Sequence, residues 1–258
     1  MSSRTTEFRA LHEGEPFVIP NPWDAGSARM FEALGFKALA TTSSGFAFTL
    51  GRRDGDVTLD EVIDHTRLLA AAVEIPVAID LENGYGAEPE DAARAVAGAA
   101  EAGAAGGSIE DWDAGEGNIY CLEHAVARIA AAAEAARPSG FVMTARAENH
   151  IRGNPDLDDT IKRLQAYEAA GADVLYAPGV VGEDIRTLCA AVSKPVNVLA
   201  FPGMTFAELA DAGVQRISVG GQLTWVAAAA AAEAAVKIRD DGDFSVLAAR
   251  LQGTGWLR

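Results

Sequence analysis

The sequence predicts an α/β protein of the (β/α)8 TIM-barrel type. Short apolar and β-branched runs alternate with longer segments of helical periodicity, and eight such pairs follow one another along the 258 residues. Several of the predicted helices end in a glycine just before the next strand, where a left-handed backbone can stop a helix. Because barrels of this length are common and no linker-like segment interrupts the chain, we expect a single domain over residues 1–258.

Eight segments have the composition of buried parallel strands, which read as nearly continuous apolar runs. They are residues 17–19, 38–42, 77–80, 108–110, 141–145, 174–176, 196–199 and 216–219. Pro76 and Pro195 come directly before the third and seventh strands, where an extended backbone is already favoured and the first amide need not join the sheet.

Eight amphipathic or alanine-rich segments lie between and after these strands and predict helices. They are residues 25–34, 59–73, 89–102, 122–136, 157–170, 183–191, 206–212 and 223–239. We expect two further helices, one before the first strand and one near residues 244–251. The competing architecture is an open doubly wound sheet, which would usually carry a G-x-G-x-x-G turn after its first strand, and residues 21–26 lack that pattern.

The composition excludes several classes of partner. The formal net charge is -16, which opposes binding to the phosphate backbone of nucleic acids, although a small anionic substrate can still be held by a few local cations. Cys121 and Cys189 are too far apart in sequence for a C-x-x-C pair, which fits a reducing, cytoplasmic location. We expect no membrane partner, because the alanine-rich tract at 226–236 contains Glu233 and is followed by charged residues.

Charged residues close three consecutive predicted strands. They are Asp80 and Glu82 after the third strand, Glu110 and Asp111 after the fourth, and Arg146 and Glu148 after the fifth. Since the carboxyl ends of barrel strands meet at one rim, these side chains should converge there. A group of carboxylates without histidine or cysteine suits Mg²⁺ or Mn²⁺ better than Zn²⁺. The sequence therefore predicts a divalent-metal site.

A second group of residues suggests that a carboxylate binds beside this metal. Ser43, Ser44 and Gly45 follow the second strand, and small residues of this kind can form an anion-binding turn. The planar guanidinium of Arg146 binds carboxylates in a bidentate manner. Trp23 could form a wall of the pocket, and Asn197 could point into the mouth of the barrel.

The motifs together resemble the isocitrate lyase/phosphoenolpyruvate mutase superfamily, whose members share a (β/α)8 barrel. The resemblance covers nearly the whole chain. It is carried, in order, by NPWDAGSA at 21–28, SSG at 43–45, LGRRD at 50–54, DLENGYG at 80–86, IED at 109–111 and ARAE at 145–148.

The resemblance implies a set of roles. Asp80 would bind Mg²⁺, with Glu82 and Glu110 holding it directly or through waters. Ser43, Ser44, Gly45 and Arg146 would bind the carboxylate of a 2-oxo or enolate substrate, and Asp54 would act from a mobile loop at the mouth. The resemblance also implies that the eighth helix is exchanged between subunits of a homodimer or homotetramer.

The loop after the fourth strand departs from the family's best-known lyases, which carry a Lys-Lys/Arg-Cys-Gly-His segment there. In residues 111–124, Cys121 has no lysine before it and no Gly-His after it. The leading hypothesis is a Mg²⁺-dependent lyase that cleaves a C–C bond of a small 2-oxo or 2-hydroxy di- or tricarboxylate, similar to oxaloacetate or methylisocitrate, through a pyruvate-like enolate. The alternatives are a phosphoenolpyruvate or phosphonopyruvate mutase or phosphonate hydrolase, and a 2-oxo acid binding protein without efficient turnover.

Overall fold

The architecture was obtained from a computed structural model, which describes residues 2–249 and Gly255. The described strands, numbered along the chain, are β1 (Phe17–Ile19), β2 (Leu39–Ala40), β3 (Val77–Asp80), β4 (Gly106–Glu110), β5 (Trp112–Asp113), β6 (Asn118–Ile119), β7 (Val142–Arg146), β8 (Val174–Tyr176), β9 (Val196–Leu199) and β10 (Arg216–Ser218).

Eight of these strands form one parallel sheet in the order β1-β10-β9-β8-β7-β4-β3-β2, while β5 and β6 form a separate antiparallel hairpin. The two edges of the parallel sheet approach each other, because the Ala40 amide at β2 donates a hydrogen bond to the Pro20 carbonyl just after β1, at 3.1 Å. The sheet is therefore a nearly closed barrel, and the predicted (β/α)8 class is confirmed.

Helices follow the barrel strands and cover the outside of the sheet. They are α1 (Ser3–Leu11), α2 (Ala25–Ala33), α3 (Ser43–Thr49), α4 (Leu59–Ala72), α5 (Pro89–Glu101), α6 (Leu122–Ala136), α7 (Leu157–Ala170), α8 (Glu183–Ala191), α9 (Phe206–Asp211) and α10 (Gln222–Asp241). A 3-10 turn spans Ser245–Ala248, where we expected a helix reaching residue 251, and positions 250 and 251 lie outside the described residues.

The region after the second strand differs from the prediction for a local reason. The second strand is shorter than residues 38–42, because Thr42 is the N-cap of a helix, α3, whose first turn contains the expected Ser43-Ser44-Gly45 turn. The Thr42 hydroxyl accepts a hydrogen bond from the Gly45 amide, which is the usual function of a threonine at that position. The β5–β6 hairpin was also not predicted.

Helix α1 closes the bottom of the barrel, at the amino-terminal ends of the strands. Phe8 is fully buried there in a cluster with Phe17, Ala78 and Val142. A Cβ atom at Gly106 of β4 would lie 2.7 Å from the Phe8 ring, so glycine allows this close approach. The functional cavity can therefore open only at the opposite end.

Helix α10 is mostly exposed. Thr224 is its one buried residue, while Trp225, Val226 and Val236 are 45%, 64% and 46% exposed. Exchange of this helix between subunits stays a prediction. Within the described part of the chain, no helix is both long enough and apolar enough to cross a membrane.

Candidate active site

A cavity of about 180 Å³, with both polar and apolar lining residues, enters the barrel from the carboxyl ends of the strands. Several interior positions carry small side chains, including Ala40, Ala78, Ser108, Thr144 and Ser218. TIM-barrel interiors are usually filled by bulky branched residues. The small residues here leave room for a ligand well below the rim.

Asp80 ends β3 and lies on the wall of this cavity. Its Oδ1 atom accepts a hydrogen bond from Arg146 Nη1 at 3.1 Å, and its Oδ2 atom is 3.4 Å from the Ser43 amide nitrogen. The Asp80 amide donates to Thr41 Oγ1 at 3.0 Å, which fixes the end of the strand. The carboxylate thus points into the cavity between β3, β7 and α3.

Arg146 ends β7 and brings three of the predicted acidic residues together. It contacts Asp80 Oδ1 at 3.1 Å, Glu110 Oε2 at 3.1 Å and Glu148 Oε1 at 2.7 Å. Burial acts to lower the pKa of Arg146, but these carboxylates raise it above its ordinary value. The guanidinium is therefore permanently charged and held in one orientation.

Glu82 lies beside Asp80 in a strained turn. Its φ is 48° and that of Tyr85 is 61°, both in the left-handed region that side chains other than glycine rarely adopt. The Tyr85 hydroxyl donates to Glu82 Oε1 at 2.9 Å. Burial, reinforced by the negative charge of Asp80, raises the pKa of Glu82 to about 7.

Glu110 and Glu148 form a second buried acidic pair around Arg146. Arg152 Nη2 lies 3.6 Å from Glu110 Oε1 and 3.4 Å from Glu148 Oε2, and its guanidinium stacks 4.4 Å above the centre of the Trp112 ring. Burial raises the pKa of Glu110 well above its ordinary value, although Arg146 opposes this. Arg152 connects this pair to the β5–β6 hairpin.

Asp111 turns away from the cavity and has a structural role. Its Oδ1 atom accepts from the Glu148 amide at 2.8 Å, and its Oδ2 atom accepts from the Tyr167 hydroxyl at 2.6 Å and from Arg163 Nη1 at 3.1 Å. The carboxylate therefore ties the ends of β4 and β7 to α7.

Besides Arg146, the residues expected to bind the substrate divide into two groups. Ser43, Ser44 and Asn197 line the cavity. Gly45 and Trp23 lie behind them, and Trp23 packs edge-on against Phe31 with 6.1 Å between ring centres.

Asp54 lies on the rim of the cavity, on the loop between α3 and α4. Although the residue is exposed on its outer side, partial burial is the main cause that raises the pKa of its carboxyl, and a hydrogen bond with Ser43 opposes the shift. This position agrees with the loop location expected for it.

Asn197 is fixed at the base of the cavity. Its Nδ2 atom donates to Ser218 Oγ at 3.0 Å, and its Oδ1 atom accepts from Arg216 Nε at 2.8 Å. With both ends of its amide engaged, the side chain has one orientation.

The acidic residues fit a magnesium ion by their chemistry. Across residues 2–249, no three acid, histidine or cysteine side chains converge closely enough to form a ready metal cage, and Arg146 lies among the acids instead. Magnesium, however, is commonly held by one or two carboxylates and several waters. Asp80 Oδ2 makes a long contact of 3.4 Å with the Ser43 amide, so this oxygen could also bind a hard cation.

The nearby cysteine and histidine, Cys121 and His150, lie outside the cavity. Cys121 is exposed at the N-cap of α6 and does not line the cavity. His150 also does not line it, and burial lowers the pKa of the ring, whose Nε2 atom is buried without a hydrogen-bond partner.

Sequence reasoning missed four side chains that complete the site: Tyr85, Arg152, Tyr176 and Arg216. Tyr176 closes β8, so the strand-end rule used for Asp80 could have found it. Arg216 is a basic residue inside a predicted strand, which is itself an unusual signal.

Comparison with known proteins supports the resemblance seen in the sequence. The profile of the phosphoenolpyruvate phosphomutase family matches residues 8–239. A crystal structure from Burkholderia cenocepacia J2315, of a protein provisionally called a lyase/mutase, is 48% identical, with a TM-score of 0.93 over 97% of this chain and 92% of that chain.

Two characterised enzymes are also similar. An oxaloacetate decarboxylase of Bradyrhizobium sp. strain BTAi1 is 31% identical over 230 residues, which is 85% of this chain and 78% of the relative. Oxaloacetate acetylhydrolase, solved in complex with its product oxalate, is 28% identical, with a TM-score of 0.86 over 93% of this chain and 88% of that chain.

Proposed function

The chain belongs to the phosphoenolpyruvate phosphomutase family, and on that premise we propose that it is a Mg²⁺-dependent lyase. It would cleave a C–C bond of a small 2-oxo or 2-hydroxy di- or tricarboxylate and release a pyruvate-like product through an enolate. The observation that carries the proposal is the contact between Asp80 Oδ1 and Arg146 Nη1 on one cavity wall, which supports a metal site and a site for the substrate carboxylate next to each other.

Asp80 would hold the metal directly, and Glu82 and Glu110 would hold it directly or through waters. When bound, Mg²⁺ supplies a Lewis acid that stabilises negative charge developing on a substrate oxygen. Glu82 and Glu110 have raised pKa values in the metal-free protein, so metal binding should release protons from them.

The remaining residues would orient the substrate. Arg146 would bind its carboxylate in a bidentate manner, with Ser43 and Ser44 on the opposite side and Gly45 and Trp23 supporting their turn. Asn197 would contact the substrate from below, and Asp54 would act as a catalytic group at the rim.

The similarity to an oxaloacetate decarboxylase and to an enzyme that releases oxalate supports a four-carbon 2-oxo diacid as the first substrate to test. The experiment is a calorimetric titration with Mg²⁺ and oxalate, together with an assay of pyruvate release from oxaloacetate. Asp80→Ala should lose Mg²⁺ binding and turnover. Asp64→Ala removes an acid on the exposed face of α4 and should retain both.

A wild-type protein that neither binds oxalate with Mg²⁺ nor turns over oxaloacetate, methylisocitrate or related acids would contradict the proposal. Binding across such a panel without turnover would instead identify a 2-oxo acid binding protein.

A second candidate is a phosphonomutase or phosphonate hydrolase, which would share the enolate but move phosphorus. The family profile that matches this chain is that of phosphoenolpyruvate phosphomutase itself, which favours including this reaction. Phosphorus NMR of the protein with phosphoenolpyruvate or phosphonopyruvate would detect the interconversion or the release of phosphate directly.

A further inference from the structure

Few groups on the cavity surface can transfer a proton to a reacting carbon. Its titratable lining residues are Asp54, Asp80, Arg146, Tyr176 and Arg216, and among the described residues no histidine or cysteine lines it. Arginine keeps its proton, and Asp80 is the proposed metal ligand. This leaves Asp54 at the rim and Tyr176 in the interior.

Tyr176 crosses the inside of the barrel. It is the last residue of β8, in register with Arg146 of β7 on one side and Asn197 of β9 on the other. The Arg146 guanidinium lies 5.2 Å from the centre of the Tyr176 ring, and the Tyr176 hydroxyl interacts with the Ser218 side chain of β10. The hydroxyl is therefore held in the cavity between two strands.

Arg216 is a buried cation close to this tyrosine. It is 6% exposed, and its guanidinium contacts Asn197 Oδ1 at 2.8 Å, Thr144 Oγ1 at 3.0 Å and His12 Nε2 at 3.2 Å. All three partners are neutral. Asn197 and Thr144 carry no ionisable group, and burial together with the charge of Arg216 lowers the pKa of His12 to about 3. Burial lowers the pKa of Arg216 to about 10, and Tyr176 is the one neighbouring group that opposes this shift.

A buried charge without a counter-ion is costly. Arg216 has no carboxylate partner among the described residues, so the site contains a positive charge that an anion formed during the reaction could neutralise. A tyrosinate at position 176 would be such an anion, with Arg146 at its ring and Arg216 on the side of β10. The carboxylates of Glu148 and Asp80 act in the opposite sense, since their charges raise the pKa of Tyr176.

We propose that Tyr176 is the proton donor of the reaction and that Arg146 and Arg216 stabilise the phenolate it leaves. The inference rests on the lyase function proposed above. For a 2-oxo diacid such as oxaloacetate, the bond to the departing carboxylate breaks, that carboxylate leaves as CO₂, and the electron pair of the bond stays in the enolate. The enolate carbon then takes the proton from the Tyr176 hydroxyl. The O–H electron pair stays on the phenolate oxygen, and water restores the proton after product leaves.

The protonation state of the resting enzyme agrees with this role. Burial raises the pKa of Tyr176 to about 12, so the hydroxyl carries its proton at neutral pH and can act as an acid.

The test compares Tyr176→Phe with Tyr120→Phe, both with Mg²⁺. Tyr120 is a control because its hydroxyl interacts with Asn83 and it does not line the cavity. The first measurement is oxalate binding by calorimetry, which we expect both variants to retain. The second is exchange of the methyl protons of pyruvate with D₂O, followed by proton NMR, which reads proton transfer at carbon without C–C cleavage.

We expect Tyr176→Phe to slow this exchange by at least about 100-fold, the lower limit for losing a general acid, while Tyr120→Phe exchanges at the wild-type rate. If Tyr176→Phe binds oxalate and exchanges at the wild-type rate, the role of Tyr176 is wrong but the proposed function stands. The same conclusion follows if the wild type binds oxalate but shows no exchange. A wild-type protein that does not bind oxalate would overturn the proposed function and this inference with it.

A further variant covers the case in which Tyr176→Phe does not fold. Replacing Tyr176 with 3-fluorotyrosine keeps the ring and lowers the pKa of the hydroxyl, so the pH profile of exchange should move to lower pH. An unchanged profile would refute the role of Tyr176.

Discussion

Replacing Gly45 with alanine should destabilise the protein and weaken carboxylate binding. Gly45 lies in the first turn of α3, and a Cβ atom there would be 2.6 Å from Thr224 Oγ1, 2.6 Å from Thr42 Cγ2 and 3.1 Å from Trp23 Cβ. Optimal carbon contacts lie near ~3.5 Å, so the new methyl group and two of its neighbours must separate by roughly 0.9 Å. All three neighbours are attached to packed elements.

The expected cost follows from these contacts. Overpacking a well-packed site typically costs about 1–3 kcal/mol. Displacing Thr42 also weakens the N-cap of α3, at about 1 kcal/mol, and the better helix propensity of alanine offsets a similar amount. We therefore expect the free energy of unfolding to fall by about 1–3 kcal/mol, which corresponds to roughly 2–12 °C in Tm for a chain of this size.

Gly26→Ala provides the matched control. Gly26 lies in the first turn of α2, and the nearest atom to a new Cβ there is Asp24 Oδ1 at 3.4 Å, an ordinary contact. This variant should be as stable as the wild type or more stable by up to about 1 kcal/mol. Urea unfolding measures the free energy of unfolding of both variants, and calorimetry with Mg²⁺ measures their affinity for oxalate.

Unchanged stability in Gly45→Ala would refute the packing argument. A destabilised variant that binds oxalate with wild-type affinity would instead refute the role of the Ser43-Ser44 turn in holding the carboxylate.

Three further predictions concern the acids and the outer helix. Because the folded protein raises the pKa of Glu82 from 4.5 to about 7, this group binds a proton in the folded state that it loses on unfolding, and its stabilising contribution disappears as the pH rises through that window. In urea titrations without metal, the free energy of unfolding of the wild type should therefore fall relative to that of Glu82→Gln between pH 5 and pH 8. Parallel curves of this free energy against pH would contradict the prediction. Asp111→Ala removes one of the two carboxylates that contact Arg163 and leaves the Tyr167 hydroxyl without its acceptor, so it should cost about 1–3 kcal/mol in the free energy of unfolding, and unchanged stability would show that the network is dispensable. Light scattering at micromolar concentration should give a dimer or tetramer that Val226→Asp weakens, and a monomeric wild type would exclude exchange of α10.

The barrel could be predicted because each strand is a short apolar run bounded by turn signals. The structure reproduces residues 17–19, 77–80, 174–176 and 196–199 as predicted. Residues 41 and 42 were assigned to a strand because threonine favours strands, but there the same hydroxyl groups form tertiary and capping hydrogen bonds. Helix α3 was missed for the same reason, since its capping residue was counted in the strand before it.

The site was predictable where one charged residue closes one strand. Asp80, Glu110 and Arg146 meet at the rim because parallel strands bring their carboxyl ends together. Arg216 could not be placed in the cavity from sequence, because its position there depends on small side chains contributed by distant strands. No local pattern encodes that contact.

The link between α1 and β10 also bears on how the protein folds. His12 and Arg216 meet at the base of the cavity although 204 residues separate them along the chain. Contacts of such long range form late, after the cost in chain entropy of closing the intervening loop has been met by other strands. During synthesis the floor of the cavity must wait for the last barrel strand, so nascent chains that have not reached β10 carry Asp80, Glu110 and Arg146 on an open, unfinished sheet.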